Sequence, residues 1–142
     1  MMVLVDTTIW SLALRRRRGA INESETVLVK ELERLIREGH ALLIGLVRQE
    51  ILSGIRVRRQ FDQLKAHLRA FKDEDVLLED YEAAAELSNT CREAGITGST
   101  VDYLICAVAL RRSVPIFTTD PDFRHYARKI PLELHTPGTA NS

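Results

Sequence analysis

Long hydrophobic runs are absent from this chain. None of its 142 residues belongs to an apolar stretch approaching the roughly 20 residues that a bilayer-spanning helix needs, so no such helix is expected. The apolar opening MMVLVDTTIW is not followed by a small-residue cleavage pattern, so a secretory signal is not expected. Cysteine is scarce. Cys91 and Cys106 are far apart, and Cys106 falls inside an apolar helical pattern, so buried free thiols in a reducing compartment are expected. These features point to a cytoplasmic protein. Net charge is absent too, with 20 Lys/Arg against 20 Asp/Glu. Its distribution is uneven: residues 1–72 carry 14 basic and 8 acidic side chains, residues 73–142 carry 6 and 12. Such a split suits a nucleic-acid binder with an anionic, metal-holding pocket, and equally a solvated surface without function.

Several chemical signatures are missing as well. His40, His67, His125 and His135 are scattered, none beside a cysteine or acid at zinc-ligand spacing. No calcium-binding loop, phosphate-cradling Gly-rich loop or Ser/His/Asp pattern occurs.

What remains is an ordinary globular composition, 45% apolar and 28% charged, of a length that makes one domain. Short apolar runs alternate with longer helical patterns. Strands are predicted at Met2–Val5, Ala41–Ile44, Val76–Leu78, Pro115–Phe117 and Leu132–Leu134. Helices are predicted from Thr7 through Arg17 and over Glu23–Glu38, Leu46–Gly54, Val57–Phe71, Asp80–Ala94, Val101–Arg111 and Pro121–Arg128. This order implies an α/β domain over residues 1–135, with a central parallel sheet of about five strands flanked by helices. Residues 136–142 read as a small, polar, flexible tail.

Four acids stand in apolar surroundings: Asp6 in VLVDTTIW, Glu50 in LVRQEILSG, Asp102 in TVDYLICAVAL and Asp120 in PIFTTDPDF. A buried, unpaired carboxylate costs several kcal/mol, and none of these segments offers a Lys or Arg on the same face. Asp6 and Asp120 follow strands one and four, on the rim where parallel sheets bind ligands. Each could simply cap the helix that follows, and Asp102 could sit in a first turn capped by Ser99 or Thr100. Glu50 is expected on the apolar stripe with Leu46 and Val47, while Arg48 and Gln49 turn elsewhere. One shared cation explains all four together. An oxygen-only donor set selects a hard cation, Mg²⁺ or Mn²⁺, whose usual task is to activate water and steady a phosphate.

The series VDTTIW, LVRQEILSG, GSTVDYLICAVA and FTTDPDF resembles the PIN-domain ribonucleases, in particular the VapC-type toxins of bacterial and archaeal toxin–antitoxin pairs. The likeness runs from Asp6 to Phe123 in the family's order. It implies a catalytic, metal-binding set of Asp6, Glu50, Asp102 and Asp120, with Asp122, Thr7 and Thr119 in support. It further implies Mg²⁺- or Mn²⁺-dependent cleavage of RNA, a homodimer, and a cognate antitoxin that occupies the site. RNA would need cations to offset such a pocket. Arg15, Arg16, Arg17 and Arg18 and then Arg56, Arg58 and Arg59 follow the helices bearing Asp6 and Glu50, and are the candidates. Arginines ending a helix also complement its dipole.

Other classes stay in view. A haloacid-dehalogenase phosphatase needs a second Asp two residues after the first, where Thr8 stands, and a response-regulator receiver needs an acid pair and a late Lys. An RNA-processing nuclease that is not a toxin, or a PIN-like module that binds RNA or protein without cutting, fits the same motifs.

Overall fold

Alternating short and long apolar patterns build a parallel sheet covered by helices. The computed structural model describes residues 1–16 and 19–138, apart from the side chains of Arg15 and Arg16. The elements run β1 (Val3–Val5), α1 (Thr7–Arg16), α2 (Glu23–Arg37), β2 (Ala41–Ile44), α3 (Gly45–Ser53), α4 (Arg58–Leu68), β3 (Asp73–Glu74), α5 (Leu78–Glu93), α6 (Thr100–Arg112), β4 (Ile116–Phe117) and α7 (Asp122–Tyr126). The strands order β3-β2-β1-β4, all neighbours parallel. Val3, Leu4 and Val5 are buried in succession. Because successive strand residues face opposite ways, both faces of the sheet are covered at β1.

Local chemistry sets the helix ends. Asn22 and Glu25 form a reciprocal capping box at the start of α2. Gly39, at φ +73°, lets the chain turn out of α2 into β2, a conformation that favours glycine. The middle of α6 is buried on all sides, with Tyr103 through Ala109 inside the core, as its all-round apolar sequence predicts. Cys91 and Cys106 are free and buried. Among the described residues no helix is long and apolar enough to cross a membrane.

The third strand departs from expectation. It lies at Asp73–Glu74 rather than Val76–Leu78, pairing with Leu43 and Ile44. Arginines make this acidic strand possible. Arg48 donates to both Asp73 oxygens and to the Leu68 and Phe71 carbonyls. Arg112 donates to Glu74, and Arg111 donates to the buried Asp80 and to the Asp75 carbonyl. Arg48 thus turns inward to close the α4–β3 connection rather than toward solvent, and α5 starts at Leu78, inside the predicted strand. A fifth strand is reduced to one parallel bridge, Ile116 with Leu134. Of the tail, Thr136 to Gly138 are described, and residues 139–142 lie outside the described residues.

Candidate active site and metal centre

The strand order fixes where the site can form. From β1 the chain moves to β2 and β3 on one side, then crosses to β4 on the other. The crevice between the carboxyl ends of β1 and β4 is the switch point where α/β folds bind ligands. Asp6 leaves β1 there, and Thr118, Thr119 and Asp120 leave β4 beside it, joined by Asp6 N–H donating to the Phe117 carbonyl at 2.9 Å.

Asp6 is 5% exposed. Its Oδ2 accepts from Thr118 Oγ1 at 2.7 Å and Thr8 Oγ1 at 3.0 Å. Those hydroxyls in turn accept the Asp120 and Thr119 N–H groups, each at 3.0 Å. The carboxylate therefore takes hydroxyls from two segments rather than capping α1. Asp102 lies in the first turn of α6, its N–H donating to the capping Ser99 hydroxyl at 3.0 Å. Its own Oδ2 accepts from the Tyr126 hydroxyl at 2.6 Å. Asp120 Oδ1 accepts the Asp122 N–H at 2.9 Å, a local turn that orients it at the start of α7.

The structure brings Asp102, Asp120 and Asp122 together, each offering an oxygen within 4.8 Å of the others. The Asp102 pKa is raised, first by burial and then by the negative charges of Asp6 and Asp120, against the pull of the Tyr126 and Ser99 bonds. Asp6 therefore shares the field of this cluster. Among the described residues no Lys or Arg forms an ion pair with any of these acids. Carboxylate oxygens, mutual repulsion and no cationic partner together suit a hard divalent cation.

Glu50 differs from expectation. It is exposed, and the buried stripe of α3 consists of Val47 and Ile51. Positions four apart define that face, and Glu50 falls beside it. Thr7 Oγ1 donates to Glu50 Oε1 at 2.8 Å, which ties it to the start of α1 next to Asp6. Asp122 is exposed as well. Three polar partners went unread in the sequence: Thr8, Thr118 and Tyr126. The doublets Thr7-Thr8 and Thr118-Thr119 signal hydroxyls here, without saying which of each pair faces Asp6. Thr119 contributes its N–H, and no hydrogen bond involves its hydroxyl among the described residues. Arg56, Arg58 and Arg59 are exposed, Arg58 near Asp62 at 3.2 Å and over the Phe61 ring. The side chains of Arg15 to Arg18 lie outside the described residues.

A PIN domain family model matches residues 3–129. The chain belongs to the PIN domain family. Solved structures with the same fold include FitAcB from Neisseria gonorrhoeae, at TM-score 0.74 and 19% identity over 96% of this chain and 98% of that one. VapBC2 from Rickettsia felis, bound to a DNA fragment from their promoter, matches at TM-score 0.71 and 18% identity over 95% and 98%. VapBC-1 from nontypeable Haemophilus influenzae matches at TM-score 0.70 and 14% identity over 95% and 97%. No functionally curated protein matches. Family membership and the acid cluster agree on a nuclease scaffold with a metal-competent site, and the haloacid-dehalogenase and receiver readings fall away.

Proposed function

We propose that this PIN domain is a Mg²⁺- or Mn²⁺-dependent endoribonuclease, the toxin of a toxin–antitoxin pair. One observation carries the reading: Asp6, Asp102, Asp120 and Asp122 converge at the β1/β4 switch point with no described cation to pair them. Asp102, Asp120 and Asp122 would hold the metal, with Asp6 adding charge behind them and Glu50 at the rim. When bound, such a metal lowers the pKa of water and offsets charge on a phosphodiester. The protein's own part is positional. Thr8 and Thr118 hold the Asp6 carboxylate in place, the Ser99 cap fixes the backbone of Asp102, and the turn at Asp120 sets the spacing to Asp122. Exposed Arg56, Arg58 and Arg59 would attract the RNA backbone.

The likeness to the FitAB and VapBC toxin–antitoxin complexes supports an antitoxin partner. An Arg on that partner could pair bidentately with the acids and displace the metal. An apolar groove of about 330 Å³, lined by Trp10, Leu14, Leu32, Ile36, Ile51 and Leu64, would accept the adjoining segment. Leu78 (71% exposed) and Tyr81 (55%) on α5 supply apolar surface for a homodimer, and the cytoplasm supplies the RNA.

The test is RNA cleavage with purified protein. Cleavage should require Mg²⁺ or Mn²⁺, stop with chelator, and fall at least 100-fold in Asp6→Asn and Asp102→Asn, on the order of what catalytic carboxylates contribute. Folded Asp102→Asn cutting at the wild-type rate would sink the assignment. Expression alone should slow host growth, and the gene beside it should restore growth and co-purify. Normal growth with active protein would favour an RNA-processing nuclease instead.

A further inference from the structure

Tyr126 comes from α7, outside the acid set, yet it gives Asp102 its shortest bond, 2.6 Å to Oδ2. Its ring is fully buried. Tyr103 lies tilted against it at 5.0 Å between centroids, and Phe123 meets it edge-on at 5.3 Å. From another side the bare Cα of Gly98 closes over the ring. A Cβ at position 98 would fall 2.4 Å from the Tyr126 hydroxyl oxygen and 2.6 Å from Cε1, nearer than real atoms approach. The ring therefore has one seat, and the hydroxyl one place. The Ser99 hydroxyl also acts on the Asp102 carboxylate, more weakly than Tyr126.

We propose that Tyr126 is a positioning residue for the metal: by holding Asp102 Oδ2 it turns Oδ1 toward a divalent cation shared with Asp120 and Asp122, and Gly98 exists to leave room for it. The terminal torsion of an Asp is broad, so a carboxylate offered to a cation gains from a fixed second contact. Partners that orient a ligand in this way typically change metal affinity by about 10- to 100-fold when removed. The Ser99 cap already fixes the backbone of Asp102. The Tyr126 bond removes the remaining side-chain freedom.

This inference rests on Asp102 being a ligand, and the experiment separates the two claims. Mn²⁺ is titrated calorimetrically, without RNA, into wild type, Tyr126→Phe, Gly98→Ala, their double variant and Asp102→Asn, with metal-free melting midpoints recorded for each. Tyr126→Phe keeps the ring and removes only the hydroxyl. Gly98→Ala keeps the hydroxyl and pushes it off Oδ2. Each single variant should bind Mn²⁺ about 10- to 100-fold more weakly. The double variant should be no weaker than the singles, because both break one bond. Wild-type affinity in Asp102→Asn would refute the site itself. Loss of affinity in Asp102→Asn, with wild-type affinity in folded Tyr126→Phe or Gly98→Ala, would overturn the positioning role alone. Failure of both singles to fold would assign Tyr126 to the core and overturn it equally.

Discussion

Replacing Thr118 with Val isolates the contact that joins the two halves of the acid site. Valine keeps the branched shape and removes a hydroxyl that donates to Asp6 at 2.7 Å and accepts the Asp120 N–H at 3.0 Å. Asp6 is 5% exposed, so water cannot freely replace the lost donor. A hydrogen bond to a charged group contributes about 1.5–3 kcal/mol, and one between neutral groups about 1 kcal/mol. Thr8 still donates to the same oxygen, and the half-buried position 118 lets water reach the Asp120 N–H. The expected loss is therefore about 2–3 kcal/mol. Thr119→Val is the matched control, because Thr119 is exposed and contributes only its N–H. It should change stability by no more than about 0.5 kcal/mol. Urea unfolding with chelator present reads both. With a slope of about 2 kcal/mol/M, Thr118→Val should lower the midpoint by about 1 M and leave the slope unchanged. Equal midpoints for the two variants would refute the account of how Asp6 is held.

Arg111→Met should destabilise by about 3 kcal/mol, because it strands Asp80, which is 1% exposed and accepts from Arg111 Nε at 2.8 Å. Burial alone would raise the Asp80 pKa; Arg111 and the Leu77 N–H reverse this and hold it below the ordinary 3.8. Its contribution is thus full above 3.8 and lost as pH falls through the lower folded value. In the variant burial prevails and the sign inverts, so the stability gap between the two proteins should narrow in acid. Thermal melts across the acid range check this, and a gap independent of pH would count against it. Changing Arg56, Arg58 and Arg59 together to Gln should weaken single-stranded RNA binding whatever its sequence, and flatten the log–log salt slope by up to about 2, at roughly 0.7 per phosphate contact. Mn²⁺ affinity should not move; a filter-binding series with a parallel metal titration tests both.

The acids were legible because a carboxylate at the end of a buried strand stands out in one dimension. Asp6 and Asp120 needed only the strand pattern to reach one rim, and Asp102 only the cap at Ser99. Glu50 was expected on the apolar stripe and is exposed instead, bonded to Thr7: the true stripe runs through Val47 and Ile51, and a short helix permits either phase. Asp73–Glu74 could not be read as a strand from its own residues. Its neutralising partners Arg48, Arg111 and Arg112 lie 25 to 38 positions away. The same applies to Tyr126, which meets Asp102 only once α6 and α7 have packed. At Thr7-Thr8 and Thr118-Thr119 the chain is leaving a strand, where the two-residue alternation ends, so facing is decided by the partner segment.

The strand order also governs when the site can exist. β1 opens the domain and its β4 neighbour follows most of it; Asp6 and Thr118 are 112 positions apart. Contacts this distant form only after the intervening chain has collapsed around them. While a ribosome is still building the first hundred residues, Asp6 has neither its Thr118 donor nor its Asp102 and Asp120 neighbours. Until β4 has been made, a growing chain therefore lacks the assembled acid site. The acid site is completed in one step, when the segment after β4 docks against the end of β1 and brings Thr118 and Asp120 to Asp6.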